Sequence, residues 1–235
     1  MLGWAARYFP ILRVLRRHVV DGQPILEVGS GSFGLAYFCR HPIVGCDVKF
    51  PLPPRRPMLP VVCSATKLPF PDRSFEAVIA SDVLEHLPPT SREEAVREAL
   101  RVTRKLAVFG FPSGPLAYTQ DREFLEYHRR LRRVPPDWLV EHMQHPFPTA
   151  DVFSDFRHDW LIESFGNESL RFHDWVNRRE ISPVWARVLA LPAKLAPRLV
   201  ERVLQTFDRE PFYRKIFVLT AQVDAGAPGK CSKAN

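Results

Sequence analysis

The sequence predicts an α/β protein built on a doubly wound, mostly parallel seven-stranded sheet, with an inserted helical region to one side. Three observations predict it. The apolar run Pro24 to Val28 leads into Gly29-Ser30-Gly31-Ser32-Phe33-Gly34, a strand followed by a glycine-rich turn. Strand-like and helix-like segments then alternate as far as Phe111. A chain of 235 residues, 46% of them hydrophobic, suffices for one sizeable core, because at this length roughly 70–75% of the unfolded surface is buried.

Residues 1–20 read as an amphipathic helix bent at Pro10, with Trp4, Tyr8, Ile11, Leu12 and Leu15 on one side and arginines on the other. It is expected to lie against the sheet; the alternative is an interfacial helix or a lid. After the glycine turn, Leu35, Phe38 and Cys39 predict a helix whose first N–H groups face a ligand. Ile43 to Asp47 is the second strand, and Phe50 to Pro60, with five prolines, is read as irregular. Val61 to Cys63 is the third strand and Phe75 to Ala80 the fourth. Ser91 and Glu94 suggest a capping box opening a helix that carries Ala95, Val96, Ala99 and Leu100.

Lys105 to Gly110 is the fifth strand. Beyond it the spacing predicts a charged helix over 120–133, a proline- and histidine-rich segment over 135–148, and a helix start near Thr149. Trp160 to Ser164 reads as a strand, 184–207 as helix broken at Pro192 and Pro197, and Arg214 to Ala221 as the last strand. The expected organisation is one domain over 1–222, with an acceptor-binding insertion over 112–179 and a disordered tail over 223–235.

In an open α/β sheet the ligand lies at the carboxyl ends of the strands. Glu27, Gly29, Ser30, Gly31, Asp47, Ser64, Ala65, Ser81 and Asp82 all fall there. The pattern Gly29-x-Gly31-x-x-Gly34 with Asp47 downstream also fits a dinucleotide fingerprint. Glu27, together with Leu68-Pro69-Phe70 and Ser74-Phe75-Glu76-Ala77-Val78 followed by Leu84-Glu85-His86, separates the two. Over residues 24–111 the chain resembles the class I S-adenosylmethionine-dependent methyltransferases, in particular their broad small-molecule branch. It departs from that pattern at Phe33, where the family places a third glycine, and at Ser64, where it places an acid.

The resemblance implies a Rossmann-like methyltransferase fold and S-adenosyl-L-methionine as cofactor. It also implies that Asp47 accepts the ribose hydroxyls and Glu27 helps hold the methionine end. Methyl transfer from a sulfonium asks the protein mainly to position the acceptor and exclude water. His86, and with it Asp82, are the candidate catalytic residues if the acceptor must lose a proton. Asp82-x-x-Glu85-His86 is similar to the metal-binding element of some ubiquinone-pathway and small-RNA 2′-O-methyltransferases, with Asp82 where those have Glu; no metal is expected here.

Thirty-three Lys and Arg against 26 Asp and Glu leave a formal charge of +7. The arginines are spread along the chain, so nucleic acid is not the favoured partner. The four cysteines form no Cys-x-x-Cys pair, and no signal peptide or transmembrane segment is recognisable, which suggests a cytoplasmic protein with peripheral membrane contact as an option. The expected activity is methyl transfer to a small-molecule, metabolite or lipid-linked acceptor. Alternatives are an RNA methyltransferase, on the strength of the 128–133 basic cluster, and a non-catalytic cofactor-fold binding protein. A nicotinamide oxidoreductase is disfavoured.

Overall fold

A computed structural model describes residues 2–39 and 42–222; the expected tail over 223–235 lies outside the described residues. Seven strands form one sheet in the order β3-β2-β1-β4-β5-β7-β6. These are β1 (Ile25–Val28), β2 (Ile43–Asp47), β3 (Met58–Val62), β4 (Phe75–Ser81), β5 (Thr103–Pro112), β6 (Trp160–Ser169) and β7 (Phe212–Ala221). β3, β2, β1, β4 and β5 are mutually parallel, and β7 runs antiparallel between β5 and β6. The strand order reverses between β1 and β4, so the crevice at a doubly wound sheet's switch point opens beyond Val28 and Ser81.

Alternating strand residues feed two separate cores, as parallel strands buried on both faces require. One core gathers Leu26, Val28, Val78, Ala80 and Phe109 under Val96, Ala99 and Leu100 of α2 (Pro89–Val102). The other gathers Ile25, Ile43, Ile79 and Val108 under Tyr8, Ile11, Val14 and Leu15 of α1 (Leu2–His18). The amphipathic N-terminal segment is thus a core helix, and it runs through Pro10.

The helix expected after the glycine turn is a single 3₁₀ turn, Leu35–Tyr37. Few residues separate the turn from β2, and α1 supplies the cover on that face instead. Phe33, the departure from the glycine pattern, packs edge-on against Trp4 of α1, with ring centroids 5.8 Å apart. β3 begins inside the proline-rich span read as irregular; as an outer strand it tolerates Pro60, because half of its N–H groups have no ladder partner.

The capping box at Ser91 does not form. α2 starts at Pro89 with Pro88 in the cap position, where neither proline brings an N–H that would need a partner.

Beyond β5 the elements are α3 (Gly114–Arg130), α4 (Asp137–Glu141), a 3₁₀ segment Ala150–Phe156, β6, α5 (Leu170–Glu180), α6 (Pro183–Leu195) and α7 (Pro197–Gln205). The span 112–179 therefore contains a full sheet strand, β6, paired with β7 along its length. Trp160 to Ser164 announced only its first half. Its second half, together with α5, brings polar residues to the end of the sheet where the crevice opens. No helix among the described residues is long and apolar enough to cross a membrane.

Candidate functional site

The turn after β1 depends on its glycines. Gly29 has φ +71°, and a Cβ there would lie 2.3 Å from a Val83 methyl. A Cβ on Gly34 would lie 2.2 Å from the Glu27 carboxylate. Only glycine lets the backbone fold this closely around β4's continuation and around Glu27. Asp47, ending β2, steadies the turn by accepting the Gly31 N–H at 2.9 Å.

A cleft of about 340 Å³ opens at this point, lined among others by Gly29, Asp47, Ser64, Ala65, Asp82 and His86. Four residues expected on it do not line it. Glu27 is buried, accepting the Tyr8 hydroxyl at 2.7 Å and the Leu35 N–H at 2.7 Å; burial raises its pKa to about 7, so the carboxyl braces α1 against the turn. Ser30 turns its hydroxyl onto the Gly31 carbonyl. Gly31 directs its N–H to Asp47. Ser81 is buried, with its hydroxyl unpartnered. Ser64 shares a 2.8 Å hydrogen bond with the Thr66 hydroxyl.

A second cavity of about 280 Å³ adjoins the first, and Asp82 and His86 line both. Its remaining wall comes from four parts of the chain: Trp4 and Arg7 of α1, Trp138 and His142 around α4, His173 and Asn177 of α5, and Glu168, Tyr213 and Arg214 at the ends of β6 and β7. Because β7 is antiparallel, its first residues lie at the carboxyl ends of the parallel strands; Arg214 pairs with Pro112 at the end of β5.

A buried charge network crosses this wall. Arg214 donates two 2.9 Å bonds to both Asp82 oxygens and a third, also 2.9 Å, to Glu168. Arg7 reaches Asp82 at 2.6 Å. Glu168 holds His173 at 2.7 Å, and His173 holds Asn177 at 2.8 Å. Burial alone would raise the pKa of Asp82, but the Arg214 and Arg7 guanidiniums hold it well below the usual carboxylate range. Asp82 sits at φ +53°, outside the conformations most side chains adopt, with its N–H bonded to the Gly110 carbonyl at 2.7 Å. Strain of this kind persists only where the surroundings enforce it.

His86 lies one 3₁₀ turn further on, its Nδ1 2.8 Å from Glu141. Burial, then the neighbouring His142, lowers its pKa, so it is a neutral imidazole at pH 7 and able to take a proton. Arg92 fastens this segment from beneath, donating to the Leu84 and Pro146 carbonyls.

Glu85, His86 and His142 bring ligating atoms within 4.8 Å of one another and could hold a metal ion, although none is expected from the sequence. Asp82, part of the sequence element read for metal, is committed to the two arginines and is not in this set. Glu85 is fully buried with neither oxygen hydrogen-bonded; burial, then the Asp82 charge, raises its pKa well above the carboxylate range. His142 is oriented by Asp121 at 2.7 Å, and Asp121 also accepts the Tyr213 hydroxyl at 2.9 Å.

Residues 26–111 match the family model described as a methyltransferase domain. No curated protein matches the sequence. Among solved structures, the chain resembles phosphoethanolamine N-methyltransferase 2 of Haemonchus contortus, in complex with phosphomonomethylethanolamine and S-adenosylhomocysteine, at 16% identity and TM-score 0.52. That alignment covers 90% of this chain and 52% of the other, so the chain spans about half that enzyme's length. It also resembles a chain of the Haloferax volcanii complex between the Trm112 methyltransferase activator and a methyltransferase, at 15% identity and TM-score 0.55, covering 96% and 97%.

Proposed function

We propose, from the premise that the chain carries a class I S-adenosylmethionine-dependent methyltransferase domain over residues 26–111, that it transfers the cofactor's methyl group to a small molecule, a metabolite or the polar head of a lipid-linked acceptor. One observation carries this reading: two cavities meet at Asp82 and His86. The cleft beside Asp47 takes S-adenosylmethionine, with the carboxylate toward the ribose. Ser64 and Ala65 would border its adenine end, and the cofactor held there would supply the methyl group for transfer.

The second cavity takes the acceptor. At about 280 Å³ it is near the lower limit for a small-molecule site, too small for a folded polynucleotide. The basic cluster over 128–133, which favoured RNA, contributes to neither cavity. His128 is buried within it, Arg133 bonds the Ile181 carbonyl, and Arg129 pairs with Glu126.

Displacement at an activated sulfonium carbon requires alignment and dryness more than acid–base help. Arg214 and Arg7 fix Asp82 as an anion at the junction, where it steadies the positive charge of the bound cofactor. An anion so strongly stabilised is a poor base, which leaves His86 to accept a proton from an acceptor that must lose one. Asn177→Trp fills the acceptor cavity from α5 and is expected to lower kcat/KM for the acceptor by about a hundredfold or more. Unchanged turnover would place the acceptor elsewhere.

A second reading, metal-assisted transfer, is favoured by the unpartnered, fully buried carboxyl of Glu85 beside His86 and His142. Chelation separates the two: turnover persists in the first reading, and is lost and then restored by a divalent ion in the second.

A further inference from the structure

The helix α6 carries its larger apolar side chains on the outside, and α7 carries apolar side chains on both sides. On α6 the inward side is small, with Ala193 packed against Ala5, Ala6 and Phe9 of α1. The outward side repeats Val184, Val188, Leu191 and Leu195 at intervals of four, three and four residues, the spacing of one helical stripe. These four are exposed, Leu195 at 75%. On α7, Val200 and Leu204 face inward while Leu199 and Val203 face out. A helix that merely closed a core would show the opposite asymmetry. Exposed apolar rows of this kind mark an interaction surface.

Charge decides what it meets. Residues 181–200 contain no Asp or Glu. Arg187, Arg198 and Arg202 are exposed along the two helices, and the Arg179 guanidinium lies 5.4 Å from the Trp185 ring at the edge of the row. Glu201, the nearest acid on α7, is paired with Arg16 of α1. A second copy docked on this face would set a basic rim against a basic rim. An anionic lipid surface complements both parts: acyl chains accept the Leu and Val row, headgroups meet the arginines, and Trp185 sits where an indole prefers the boundary.

We infer that the α6–α7 face seats the protein on a bilayer containing anionic phospholipid. The face lies across α1 from the acceptor cavity, and α1 supplies Trp4 and Arg7 to that cavity.

The test is flotation of the full chain with vesicles of phosphatidylcholine alone or of phosphatidylcholine with phosphatidylglycerol, read without cofactor or acceptor, so that it stands apart from the methyl-transfer reading. Binding to the anionic vesicles is expected to exceed that to phosphatidylcholine by about tenfold or more, and to fall by a similar factor in the double variant L191D/L195D. The double variant R187E/R198E, which leaves the apolar row intact, should weaken binding as well. Melting temperatures of both variants report that they fold. Three outcomes overturn the inference: no flotation with anionic vesicles; flotation that survives L191D/L195D, which makes the contact one of charge alone; or a dimer in sedimentation velocity that L191D/L195D dissolves, which makes the face a self-interface.

Discussion

In the function proposed above, the cofactor half and the acceptor half of the site are built by different means. The cofactor half comes mainly from the β1–β4 region, within the first 87 residues, and is shaped by backbone: a glycine turn, strand ends and one carboxylate, Asp47. The acceptor half draws on α1, α4, α5 and β7, and is held by side-chain charge, with Arg214 joining Asp82 to a residue 86 positions further on, Glu168. A site made of turns tolerates the loss of one polar contact. A site made of buried charge does not, because each partner removed strands another in a medium that solvates it poorly.

The largest effect should follow from breaking the charged half. Arg214→Met leaves Glu168 buried without its arginine and Asp82 with Arg7 alone, and unfolding free energy in urea is expected to fall by about 3–5 kcal/mol. A loss below about 1 kcal/mol would mean that the network contributes as little as a surface ion pair, and the contrast between the halves would fail.

A smaller, pH-dependent effect should come from Glu27, which belongs by sequence to the cofactor turn but acts as its brace. Folding raises its pKa from 4.5 to about 7. The folded state therefore binds this proton more tightly than the unfolded state, and the resulting stabilisation is complete below about pH 4.5 and lost as pH rises through about 7. Between about pH 5 and about pH 8, the wild type should lose on the order of 3 kcal/mol relative to Glu27→Gln. Parallel stability curves for the two proteins would place Glu27 in a wetter setting, as a cleft-lining residue would be.

The unequal legibility of the halves has the same physical origin. Glycines, strand ends and Asp47 are local signals, and the strand order of a doubly wound sheet converts them into a place. The second cavity was legible in part: Asp82 and His86 were named, and Trp138, His142, Glu168, His173 and Asn177 lie within 112–179, the span read as the acceptor side, whereas Trp4, Arg7, Tyr213 and Arg214 lie outside it. His142 and Trp138 fell within the region read as the acceptor side, but nothing in their spacing shows that α4 brings them to His86. Arg214, Glu168, His173 and Asn177 were missed as site residues.

Arg214 carried a usable signal. A charged residue opening the final apolar strand becomes a crevice residue once that strand is antiparallel, because its start then lies beside the other strands' ends. Glu168 carried none, since β6 was read as ending at Ser164 and its buried half looks polar in sequence. Glu27 and Ser81 both sit at strand ends and were read as facing the cofactor; their side chains turn inward, Glu27 to the Tyr8 hydroxyl and the Leu35 N–H and Ser81 into the packed sheet.

In the proposed function the cofactor and the acceptor occupy different cavities, and the S-adenosylhomocysteine dissociation constants of Asp47→Ala and Asn177→Trp, measured side by side by calorimetry, test this most directly. Loss of the hydrogen bonds to a charged group should weaken binding to Asp47→Ala by about 1.5–3 kcal/mol, while Asn177→Trp should bind about as tightly as the wild type. A cofactor that ignores Asp47→Ala and is excluded by Asn177→Trp would show that the adenosyl group occupies the charged cavity, contradicting the assignment of the two halves.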